Sequence, residues 1–151
     1  MKATIAASAP FEPVRGKSLR FKRLTVVLLF SWLPAVAVAE EVDTSALDAP
    51  QFSLGMVGFI GRISDAEKRM LEVEKSPEAS RIFSAIVEDE GRGGVARLYA
   101  ACGLKRSDRS QFDHAFNRLE NTYEKVSVMY GDVMQQEDFK VLLAQIKGGL
   151  C

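Results

Sequence analysis

The sequence predicts an all-α protein, a small bundle of about four or five amphipathic helices following an N-terminal signal peptide. Three observations carry that expectation. Capped segments with 3.6-residue apolar periodicity fill most of 64–147. A stretch rich in alanine and glycine, Gly93 to Leu104, has the small side chains a central helix needs when neighbours approach it on several sides. The leader has the basic, apolar and small-residue order of an export signal.

Lys17, Arg20, Lys22 and Arg23 precede the uncharged run Leu24 to Ala39, which ends Ala35-Val36-Ala37-Val38-Ala39 before Glu40. Ala37 and Ala39 occupy the −3 and −1 positions of a signal peptidase site, and Pro34 breaks the helix ahead of it. Cleavage is expected after Ala39, with an uncleaved anchor as the second reading. The run of 16 residues is shorter than the ~18 to 20 that span a bilayer as a helix. The expected destination is the periplasm or the exterior, and the membrane is met only through the signal before cleavage.

Of 20 Lys and Arg and 20 Asp and Glu, six and one lie in 1–39, leaving 14 basic against 19 acidic residues, a net charge of about −5. Without a basic run, the remaining chain has no phosphate-binding footprint, so nucleic acid is excluded as an expected partner. Both cysteines, Cys102 and Cys151, fall in this part. In an oxidising compartment an even count predicts a disulfide between them. Two cysteines and a single His114 do not form a zinc set, and neither metal nor cofactor is expected.

Residues 40–51 are acidic and polar and are expected as a flexible arm, leaving 52–151 as a single helical domain. Phe52 to Gly61 mixes large apolar residues with Gly55, Gly58 and Gly61, which weaken any regular element. Core packing is the favoured reading of this irregular segment, and a partner-binding lip around Met56 and Phe59 is the second.

Ser64-Asp65-Ala66-Glu67 is a capping box opening a helix through Met70, Leu71 and Val73. Ser76-Pro77 supplies the next N-cap and N1, and Ala79, Ile82, Phe83, Ile86 and Val87 form its face. Glu88-Asp89-Glu90 closes that helix. It lacks the alternating ligands of a calcium loop, and the following glycines lack the Gly-Lys-Ser/Thr ending of a phosphate loop.

In the central helix Val95, Leu98, Tyr99 and Cys102 share a face. Ser110 to Asp113 is expected to cap the longest helix, with Phe112, Phe116, Leu119 and Tyr123 as its stripe and His114 turned to solvent. Val126, Val128 and Tyr130 alternate as a strand would, but a lone strand has no partner, so the segment is expected as helix end or irregular chain. Glu137 and Asp138 open a last helix with Phe139, Leu142, Leu143 and Ile146, stopped by Gly148-Gly149. Successive antiparallel pairs of this kind would resemble a piece of a helical solenoid.

No nucleophile, base or metal constellation with a recognisable spacing appears. The function expected is binding of a protein partner outside the cytoplasm, in the manner of an inhibitor, immunity or envelope accessory protein, without catalysis. A structural or stress-related envelope component is the alternative, and a hydrolase with an unrecognised carboxylate site the third reading. The expected contact residues are Glu88, Asp89 and Glu90, whose charge suits a basic partner, together with Phe59.

Overall fold

In the computed structural model, which describes residues 42–151, the other helices, the short turns and one strand are arranged around helix α3 (Gly94–Ser107). Its buried residues include Gly94, Ala96, Ala100, Ala101 and Gly103, which let neighbouring elements approach between the bulkier Leu98, Tyr99 and Leu104. A Cβ on Gly103 would overlap the Phe83 ring of α2 (Ala79–Glu88), and one on Gly94 would overlap the Glu124 carboxylate. The expected face is buried at Leu98, Tyr99 and Cys102, whereas Val95 is only half-buried. The predicted leader, including Ala37 and Ala39, lies outside the described residues.

Helix α1 (Asp65–Glu74) starts where the sequence predicts, with the Ser64 hydroxyl accepting from the Glu67 amide at 3.1 Å. The Glu67 carboxylate does not reach back to Ser64. It accepts instead from the Gly55 amide at 2.8 Å. Helix α2 buries Ala79, Ile82, Phe83, Ile86 and Val87 as its spacing predicts. It begins two residues later than expected, because Ser76 closes a turn by accepting from the Glu78 amide at 3.2 Å.

Helix α4 (Arg109–Leu119) is capped by Asp108, not Ser110. The Asp108 carboxylate accepts from the Gln111 amide at 3.1 Å and from the Ser80 hydroxyl of α2 at 3.0 Å, and this second bond fixes the cap to a neighbouring helix. At 11 residues α4 is shorter than the 14 of α3, so it is not the longest helix. Tyr123 lies beyond its end and is exposed.

The fold is mostly helical but not all-α. Strands β1 (Lys125–Tyr130) and β2 (Val133–Asp138) form an antiparallel hairpin in which Val126 faces Glu137, Val128 faces Gln135 and Tyr130 faces Val133. The alternation of β1 is thus a real strand signal, with Val126 and Val128 buried. Its partner was hidden because β2 is exposed along almost its whole length and needs no apolar alternation. Gly131, at φ 63°, makes the two-residue turn. The other side of β1 receives Phe52, whose amide donates to Ser127 at 2.8 Å and whose carbonyl accepts from Met129 at 2.9 Å.

Helix α5 (Phe139–Gln145) buries Phe139, Leu142 and Leu143 and passes into a π turn, Ile146–Leu150. Lys105 of α3 donates to the Ile146 carbonyl, closing that end. Gly149, at φ 121°, then turns the chain so that Cys151 meets Cys102, with Cα atoms 5.7 Å apart, a disulfide pair as the cysteine count predicts.

From Val42 onward the arm expected to be flexible is docked. Leu47, in the 3-10 turn Ser45–Leu47, is fully buried. Arg92 donates to the Thr44 carbonyl at 2.9 Å and meets Asp48 at 2.9 Å.

Candidate functional site

Residues 55–62 form a tight loop that is held rigidly yet turns its apolar side chains outward. Val57 and Arg62 exchange both main-chain bonds at 3.0 Å, and the Gly61 amide donates to Gly58 at 2.9 Å across the turn Gly58-Phe59-Ile60-Gly61. Gly58 and Gly61 have φ values of 75° and 60°, which L side chains rarely adopt. The regular glycine spacing therefore encodes a turn.

Four further bonds tie this loop and its entry to the domain. The Gly58 amide donates to the Gly131 carbonyl in the hairpin turn at 2.6 Å. At the loop's entry Gly55 is held by Glu67. Just before it, the buried Tyr99 hydroxyl donates to the Ser53 carbonyl at 2.8 Å and accepts from the Ser53 amide at 3.0 Å.

On this base Phe59 is 98% exposed, Met56 76% and Ile60 69%. The bond to Gly131 sets the hairpin end beside them, adding exposed Tyr130, Val133 and Met134, and Ile63 follows the loop in sequence. These seven are among ten large apolar side chains exposed in the described part, and they come from two segments joined by the Gly58–Gly131 bond, with Tyr130 and Val133 on one face of the hairpin and Met134 on the other. Isolated exposed apolar residues are ordinary, whereas several on neighbouring ordered segments are candidates for an interaction surface. Phe59 thus lies outside the core, contrary to the favoured sequence reading. Tyr130, Val133 and Met134 carried no such signal, because only the hairpin turn brings them beside Phe59.

The other expected contact residues occupy a different surface. Glu88, Asp89 and Glu90 are exposed at the C-terminal end of α2, and Asp89 accepts from the Gly91 amide at 2.9 Å. Carboxylates at that end of a helix meet its negative pole, so they contribute nothing favourable to α2 itself. Glu88 lines a shallow groove of about 480 Å³ between α2 and α4 with Ser84, Gln111, His114 and Arg118. Nucleophile, base and acid types meet there, but no hydrogen bond joins Ser84, His114 and Glu88, so the groove holds no aligned proton relay. Helix α2 packs on α1, α3 and α4, while the glycine loop is held by the hairpin. The structure does not bring Phe59 and Glu88 into one site.

Among the described residues no group of three or more His, Cys, Asp or Glu is placed to hold a metal ion. No helix among them is long and apolar enough to cross a membrane. The sequence matches no protein-family model and no curated protein.

Proposed function

We propose that this is an exported domain that binds a protein partner through the apolar surface built by the glycine loop and the hairpin end. The observation that carries the proposal is the 98% exposure of Phe59 on a loop fastened by its own cross-turn pair and by bonds to Gly131 and Glu67. The backbone beneath a side chain displayed in this way loses little conformational freedom on binding, and a projecting aromatic ring suits a concave apolar pocket. The net acidic remainder of the chain favours a basic partner and a faster encounter with it. Export is supported by the leader and by the paired cysteines.

The experiment compares the tagged wild-type chain with Phe59→Asp in affinity capture from envelope extracts, read by mass spectrometry. A reproducible partner lost in the variant is the expected result. The recovered protein should begin at Glu40 by intact mass. Equal capture by both proteins, or turnover in a hydrolase screen with no partner, would replace this reading with an enzyme or a structural component.

A further inference from the structure

The main-chain bonds of the hairpin leave one sheet edge open beside this surface. Ser127 and Met129 direct their carbonyl and amide to Phe52. In an antiparallel ladder alternate residues point their main-chain groups to opposite sides, so Val126, Val128 and Tyr130 are the residues that pair with β2. Their partners Glu137, Gln135 and Val133 use their own groups on β1. Met134 and Gln136 therefore aim their amides and carbonyls away from the sheet, and no described element covers them.

Open edges are normally blunted by lysine, proline, a bulge or a covering segment. The edge Val133-Met134-Gln135-Gln136-Glu137-Asp138 contains no lysine or proline and pairs without a bulge. Its charge is one-sided. Glu137 and Asp138 stand at one end, apolar Val133 and Met134 at the other, and the strand has no basic residue. Asp138 is answered by Lys125 at 3.3 Å, whereas Glu137 meets no cation among the described residues.

We propose that the partner adds an antiparallel strand to β2, taking the main-chain groups of Met134 and Gln136. Its basic residues lie beside Glu137, and its apolar residues run on toward Met134 and Phe59. The antiparallel sense sets the order of the partner segment as basic first, then apolar. A second copy of this chain is a poorer occupant, because β2 offers nothing positive to another Glu137. The inference rests on the binding reading above and names the chemistry of that partner.

The test uses protein recovered from cells expressing the full chain, and a short fluorescent peptide of two lysines followed by alternating threonine and valine. The same peptide with the lysines moved to its C-terminal end serves as the control. The first peptide binds in fluorescence anisotropy, more weakly at high salt, and the second binds at least about tenfold less well. Gln136→Pro removes one outward amide at an edge position where proline is tolerated, and weakens binding about tenfold or more. Gln136→Ala keeps the amide and keeps the binding. In the wild-type protein, added peptide slows hydrogen exchange at Met134 and Gln136, an outcome that does not depend on any variant folding.

No peptide binding, equal binding of the two peptides, or equal binding by Gln136→Pro overturns the edge proposal. So does concentration-dependent dimerisation abolished by Gln136→Pro, in favour of a second copy. If partner capture is still lost in Phe59→Asp but not in Gln136→Pro, the apolar surface stands and only the strand addition falls. Capture insensitive to both variants removes both readings.

Discussion

The Tyr99 hydroxyl satisfies both main-chain groups of Ser53, donating to its carbonyl at 2.8 Å and accepting from its amide at 3.0 Å. Both residues are buried, so no water takes over if the hydroxyl is removed. The ring lies 4.8 Å from that of Phe52, in the tilted arrangement aromatic pairs favour. One side chain of the central helix thus positions the strand-like entry to the glycine loop.

Tyr99→Phe keeps the ring and orphans a buried amide and carbonyl, which costs about 1 to 3 kcal/mol. The expected outcome is a lower melting temperature with unchanged far-ultraviolet circular dichroism, and faster proteolysis within 54–62. A variant as resistant to protease as the wild type would show that the loop is held without this bond.

Gly103→Ala places a methyl group where the Phe83 ring lies. The helix propensity gain of up to about 1 kcal/mol opposes an overpacking cost of about 1 to 3 kcal/mol, and overpacking wins because a rigid ring in a filled core has little room to move. Denaturant unfolding should show a lower midpoint. A rise would mean that α2 and α3 can separate freely at this crossing.

Cys102 and Cys151 stand 49 positions apart, a loop for which chain entropy gives about 4 kcal/mol of stabilisation. Alkylation without reductant should modify neither thiol. Replacing both by serine should lower the melting temperature markedly while helical content persists, since the apolar faces of α1 to α5 do not depend on the bond. Two alkylated thiols in the recovered protein would refute the pairing.

Asp108 is held below the usual carboxylate range, first by the Gln111 amide and then by the Ser80 hydroxyl. A carboxyl depressed in the folded state stabilises the fold above its unfolded pKa and ceases to do so as pH falls through the folded value. The contribution is therefore present at neutral pH and disappears below about pH 4. Asp108→Asn keeps an acceptor for the cap but cannot titrate. Its melting temperature should fall less than that of the wild type between pH 5 and pH 2, measured by thermal scans across that range.

Local signals were legible where one residue decides the geometry. Ser64 marks the start of α1, the faces of α2 and α5 follow from their spacing, and two cysteines in an even count predict their bond. What the sequence did not disclose depended on partners far along the chain. The acceptor for the Glu67 carboxylate is Gly55, not Ser64, because the loop passes within reach only after α1 has packed. Asp108 displaces Ser110 as a cap because Ser80 of another helix shares its carboxylate. The alternation of β1 is visible, but the segment reads as helix end or irregular chain because its partner β2, exposed along almost its whole length, has no hydrophobic pattern to recognise. Sequence alone favours a core position for Phe59 because large apolar residues are usually buried. Only the positive φ values of its flanking glycines and the bond to Gly131 show that the turn carries it outward.

Helix α3 packs against α1, α2, α4, α5, β1 and the two short turns, so no pair of outer elements closes a core without it. Opening any one of them uncovers α3, and losing α3 leaves the others with no common wall. Such a hub layout makes unfolding collective: the amides of Leu98 to Leu104 should exchange with solvent only when the whole domain opens, and their rates should converge on a single opening free energy. The glycine loop stands at the other extreme, rigid through a few bonds that can break one at a time. The exposed apolar side chains and the buried hub thus occupy separate parts of the chain, and changes to the loop surface should leave the energy at which the centre gives way unchanged.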